Sequence, residues 1–128
     1  MNASVSFSEI TLDGRDDKAA VFSFQGQLDE VSSDSVFQKV EEYLAQNTEI
    51  QGFLFDFKEL EYLNSKSLGF LIDFYRKIGE RSGKMVITNS SDNVFDILDL
   101  VGVTRVIDTT KTIEEAKLAL LDAFHHEE

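Results

Sequence analysis

Apolar and polar residues alternate along Val5-Ser6-Phe7-Ser8-Glu9-Ile10-Thr11-Leu12, the imperfect period of two expected of a half-buried strand. Asp13-Gly14 follows as a turn pair. Ala19-Ala20-Val21-Phe22-Ser23-Phe24-Gln25 predicts a second strand that stops at Gly26, so the two strands form a hairpin. From Val31 to Gln46 the apolar residues Val36, Val40 and Tyr43-Leu44 recur at helical spacing, with Ser32 or Ser33 available as N-cap. Gly52-Phe53-Leu54-Phe55-Asp56-Phe57 is almost continuously apolar, which predicts a mid-sheet strand covered on both faces.

Farther along, Leu68, Leu71, Ile72, Tyr75 and Ile78 share one helical face, and Gly83 supplies the stop before a strand at Met85-Val86-Ile87-Thr88. Val94, Ile97, Leu98 and Val101 mark a shorter helix closed by Gly102, and Arg105-Val106-Ile107-Asp108 predicts a final short strand. Thr112-Ile113-Glu114-Glu115 has capping-box spacing and opens a last helix that turns Ala116, Leu120 and Ala123-Phe124 toward the core. Strand and helix alternate after Ala19, which implies right-handed crossovers and parallel pairing inside the sheet. The expectation is an α/β mixed sheet of about five strands with about four packed helices, as one domain over 1–128 with its core at about 5–124.

Composition supports a packed globule, since 42% of the 128 residues are apolar and 11 are phenylalanine. The formal charge of −12 sets up a field that repels phosphates and anionic lipids. Neither nucleic acid nor a membrane surface is an expected partner. Without cysteine there are no disulfides, thiolate metal sites or Cys nucleophiles. No run of about 18 apolar residues exists and Met1 to Ile10 does not read as a signal peptide, so the cytoplasm is the expected compartment.

Catalytic chemistry is sparse. The two histidines, His125 and His126, are adjacent at the C-terminus, which leaves none inside the domain as base or zinc ligand. His125-His126-Glu127-Glu128 reads as a tail, and neither metal nor cofactor is assigned. Gly79-Glu80-Arg81-Ser82-Gly83-Lys84 is one residue short of a phosphate loop and precedes a strand instead of following one. Asp56, Glu59 and Glu61 read as acids on a solvated strand-to-helix loop. The chain is expected to act by binding, not as an enzyme.

The informative stretch runs from Leu54 to Leu71, a buried strand, a short loop and a helix start. Its Leu63-Asn64-Ser65-Lys66-Ser67-Leu68-Gly69 resembles the loop of the STAS domain, named for sulfate transporters and anti-sigma factor antagonists, which typically reads apolar-Asp-Ser-small-Gly-Leu-Gly. Gly26-Gln27-Leu28-Asp29, Gly83-Lys84-Met85-Val86-Ile87 and Asp96-Ile97-Leu98-Asp99-Leu100-Val101-Gly102-Val103 resemble other parts of that family, so the resemblance runs from about Ala19 to Leu120. Here Asn64 stands for the family's Asp, Lys66 for a small residue and Ser67 for Gly.

The resemblance implies a bacterial regulator of the anti-sigma factor antagonist type. In such proteins the serine after the loop acid is phosphorylated by a partner that is both kinase and anti-sigma factor, and a serine phosphatase reverses it. Carried over, the phosphorylated residue is Ser65, with Ser67 the second choice, and Asp29, Asn64, Ser65, Lys66 and Ser67 fall in the partner-binding region. Helical geometry separately sets Phe70, Phe74, Lys77 and Arg81 about 100° or more from the core stripe. Two phenylalanines there suit docking to a partner or self-association as a homodimer. Two other readings stand beside the switch: a STAS scaffold or accessory subunit of a transporter or signalling assembly that is never phosphorylated, and a small-molecule binder or enzyme.

Overall fold

A computed structural model describes residues 3–12 and 17–125. The Asp13-Gly14 turn and the tail from His126 lie outside the described residues. Strands β1 (Ser4–Thr11), β2 (Lys18–Leu28), β3 (Gly52–Leu63), β4 (Lys84–Thr88) and β5 (Asp108–Thr110) alternate with helices α1 (Ser33–Gln46), α2 (Ser65–Glu80), α3 (Asp92–Leu100) and α4 (Ile113–His125). Sheet order follows chain order, β1-β2-β3-β4-β5, with β1 antiparallel to β2 and every other pairing parallel. The aromatic strand is central, as its hydrophobicity on both faces predicts.

Alternation along the strands sorts the core into two layers. Phe22 and Phe24 of β2, Phe53, Phe55 and Phe57 of β3, and Met85 and Ile87 of β4 share one face, closed by α1, α2 and α3. Ala19, Val21, Leu54 and Val86 share the other, closed by Ala116 and Leu120 of α4. Burying each phenylalanine contributes about 1.5–3 kcal/mol, so the aromatic layer is the main source of cohesion.

Four boundaries differ from the sequence expectation. Strand β2 does not stop at Gly26: that glycine takes φ 88° at a register shift against β3, and the strand resumes to Leu28. Strand β3 runs on to Leu63, so Asp56, Glu59 and Glu61 lie on a strand and not in a loop. The short strand expected at Arg105–Asp108 is a 3-10 turn over Val103–Arg105, and β5 pairs later, at Asp108–Thr110. Finally, the left-handed residue closing α2 is Ser82, φ 63°, and not Gly83. Gly83 is required for another reason, since a Cβ there would lie 2.6 Å from the Gln51 carbonyl oxygen.

Capping follows local chemistry. Thr112 Oγ1 accepts from the Glu115 amide at 3.1 Å, and the Glu115 carboxylate reaches back to the Lys111 amide at 3.0 Å, the reciprocal pattern that the spacing predicts, displaced by one residue on the return bond.

Candidate partner-docking site

Two loops meet at the C-terminal ends of β2 and β3, and the Leu28 carbonyl joins them. It accepts a hydrogen bond from the Asn64 amide at 3.1 Å and another from Ser67 Oγ at 3.3 Å. Asn64 is the N-cap of α2: its side-chain oxygen accepts from the Ser67 amide at 2.9 Å and from Ser67 Oγ at 2.9 Å. An amide oxygen performs the acceptor role that the family's aspartate would fill, so the cap survives the loss of charge. Ser67, the second choice for phosphorylation, is fully buried with its hydroxyl engaged by Leu28 and Asn64. Ser65, the first residue of α2, is exposed.

On the other loop, Asp29 organises the turn into α1. Its carboxylate accepts from the Ser32 amide at 3.0 Å, Ser32 Oγ at 3.0 Å and the Val31 amide at 3.1 Å. Ser32 Oγ also donates to the Gln27 carbonyl at 2.8 Å, so it locks this turn instead of capping α1 by its side chain. These bonds, those from Ser32 foremost, hold the Asp29 pKa below the ordinary carboxylate value. Because folding lowers this pKa, the stabilisation is complete above the unfolded-chain value and is lost as pH falls through the lower folded value. Asp29→Asn is therefore expected to be less acid-sensitive than wild type below about pH 4, measured as a flatter pH dependence of urea unfolding; parallel pH curves would sink this assignment.

Lys66 crosses from α2 to α1, its ammonium 2.9 Å from both carboxylate oxygens of Asp34. The hydrogen bond from Lys66 to Asp34 raises the Lys66 pKa, with the charge of Glu30 adding to it. Both partners are well exposed, so the pair orients the loops more than it stabilises the fold. The sequence gives no sign of Asp34, which lies 32 residues away, nor of Val31, which is 85% exposed on a turn whose backbone Asp29 has fixed.

The second stripe of α2 does not form as expected. Phe74 is fully buried between the α1 and β3 rings, and Phe70 is half-buried and stacked on Phe37 at 4.7 Å. Arg81 is no surface cation either: its guanidinium donates to the Leu44, Asn47 and Ile50 carbonyls at 2.9, 2.6 and 2.8 Å. Lys77 alone keeps an exposed head, paired with Glu41 at 3.0 Å and Asp73 at 3.1 Å. Its hydrogen bond to Glu41, then that to Asp73, raises its pKa. Conversely Tyr75, expected in the core stripe, is 39% exposed. No helix among the described residues is long and apolar enough to cross a membrane, and no group of three or more acidic or histidine side chains among them is arranged to hold a metal.

The chain is similar to the anti-sigma F factor antagonist of Paenibacillus polymyxa, 24% identical over 87 residues that cover 68% of this chain and 74% of that one. Among solved structures it is similar to an anti-sigma factor antagonist from Mycobacterium paratuberculosis, with a TM-score of 0.73 at 21% identity over 91% of this chain and 96% of the other. The anti-sigma factor antagonist SpoIIAA in its unphosphorylated form matches at 0.65 and 15% identity over 91% and 96% of the two chains. Its phosphorylated form from Bacillus matches at 0.60 and 18% over 87% and 96%. Residues 10–116 match the STAS domain model, a span that runs from the end of β1 through β5 to the start of α4, and the chain belongs to the STAS family.

Proposed function

We propose that this chain is an anti-sigma factor antagonist, which docks through the β2–α1 loop and the start of α2 to an anti-sigma factor of the serine-kinase type and is switched by phosphorylation of Ser65. The observation that carries this reading is the exposed Ser65 at the opening of a capped helix, beside a loop that Asp29 holds in one conformation. A preformed surface loses little entropy on binding. A phosphate on Ser65 would add about −1.5 to −2 charges in the middle of it, while the free N–H groups and positive end of α2 make the modified helix stable. Asp29, Asn64 and Ser67 then act as positioning residues, and Ser65, Lys66, Phe70 and Lys77 lie on the docking side. Action by binding needs no catalytic group of this chain, and a serine phosphatase would reset the switch, with the cytoplasm as its setting.

The Lys66–Asp34 pair beside Ser65 and the neutral Asn64 favour a second reading, a STAS scaffold that is never phosphorylated. Calorimetry with a purified kinase-type anti-sigma factor separates them. Ser65→Glu is expected to weaken binding at least about tenfold, or about 1.4 kcal/mol, with an unchanged melting temperature, and incubation of wild type with partner and ATP should add one phosphate to Ser65 by intact mass. Equal binding by the variant with no phosphate transfer would move the assignment to the scaffold.

A further inference from the structure

Eight large apolar side chains are exposed among the described residues, and four of them, Phe95, Leu100, Val101 and Val106, fall within one short stretch formed by α3 and the 3-10 turn after it. Leu100 is 87% exposed, Val101 54% and Val106 46%, values that no packing inside this chain explains. An apolar cluster of this kind with a polar rim marks an interaction surface.

The charged residues of α3 are all acidic, with Arg105 in the turn after it and Lys111 beyond as the nearby cations in sequence. Val94 and Leu98 face the core, which by helical spacing turns Asp92, Asp96 and Asp99 outward as a stripe at i, i+4 and i+7. Among the described residues none of the three has a cationic partner. Asp99 is fixed by Thr104 Oγ1, which donates to its carboxylate at 2.7 Å and ties the turn to the helix. Phe95 lies one turn before Asp99 and Leu100 one turn after Asp96, so apolar groups flank the acids on both sides. At the N-terminal end Phe95 also lines a recess of about 640 Å³ with Thr109, Thr110, Asp92 and Lys111.

We infer that α3 and the turn after it form a second docking surface, separate from the Ser65 loops, for a basic amphipathic segment of a partner protein. Its Lys or Arg residues would meet Asp92, Asp96 and Asp99, and its apolar residues would cover Leu100, Val101 and Val106 with one side chain in the recess beside Phe95. Charge decides against a second copy of this chain, because a symmetric contact would bring two sets of three aspartates together.

The test is a nuclear magnetic resonance titration of the whole labelled chain with a synthetic helical peptide carrying Leu and Lys at matching spacing, at roughly physiological ionic strength, and with a peptide of the same composition in scrambled order. Amide shifts confined to residues 92–111 are expected, with the scrambled peptide binding at least about tenfold more weakly. Leu100→Ser with Val101→Ser should lower affinity by at least about tenfold, while Leu118→Ser, at an exposed apolar position on α4, should leave it unchanged. Asp96→Lys gives a second readout that leaves the apolar residues in place and should weaken binding as well. Shifts spread over all acidic surfaces, equal binding of both peptides, or wild-type affinity in the Leu100/Val101 and Asp96 variants would overturn the proposal. None of these outcomes depends on Ser65 or its kinase.

Discussion

Replacing Phe74 by alanine lowers the free energy of unfolding by about 3–5 kcal/mol, enough to consume a large part of the stability of a domain this size. Phe74 is fully buried, with ring centres of Phe37, Phe55 and Phe70 at 5.7, 6.4 and 6.5 Å. Truncation removes the transfer energy of the ring and leaves a cavity walled by stiff aromatics and the sheet, which close over it poorly. Urea denaturation followed by far-ultraviolet circular dichroism measures the loss, and a value below about 1.5 kcal/mol would contradict this placement. Any partner binding lost in this variant then reports unfolding. Phe70, half-buried beside it, is the residue with which to probe docking.

Arg81→Ala is expected to cost about 2–4 kcal/mol. One guanidinium serves three carbonyls, at Leu44, Asn47 and Ile50, that end α1 and lead into β3, and it lies 5.4 Å from the centre of the Phe53 ring. Removing it takes the guanidinium donor from all three carbonyls, leaving Asn47 the Ile50 amide at 3.3 Å, at the end of a helix whose last turn contains no basic residue. Arg81→Lys should recover little, because an ammonium is a point donor and the three oxygens are spread across a planar fork. Since the bonds are partly buried, the loss should persist in high salt. A Lys variant as stable as wild type would show that charge, not the fork, provides the stability.

The central place of β3 and the buried run of β4 are legible in the sequence because β3 has apolar residues on both faces and β4 is short and apolar, features that local pattern alone can carry. The stripe on α2 was not. Leu68-Leu71-Ile72-Tyr75-Ile78 and Ser67-Leu71-Phe74-Ile78 share two positions and differ by a rotation of the helix, and only the position of α1, which covers the Phe70 and Phe74 side, selects the second. The polar end of β3 reads as a loop in the sequence because Lys58, Glu59 and Glu61 break the apolar run. Continued pairing with β2 as far as Leu63 keeps it extended. The STAS-like loop is recognisable as a linear motif, whereas Asp34 reaches the same surface through a contact with Lys66, 32 residues away, that no spacing rule encodes.

The pairing register has a dynamic consequence. Strand β4 pairs with β3 only from Gly52 to Asp56, while β2 accompanies β3 on to Leu63. Past Asp56 β3 is therefore paired on one side only, and past Glu59, where the β1 pairing of β2 has ended at Gln25, Leu60–Leu63 form a two-stranded ribbon with the end of β2, from which both docking loops lead. Opening that ribbon breaks one ladder and uncovers Leu28, Leu60 and Leu63 but leaves Phe53 and Phe55 covered, so it costs less than global unfolding. Amide exchange should reach Leu60–Leu63 through this partial opening, long before it reaches Phe53–Phe55.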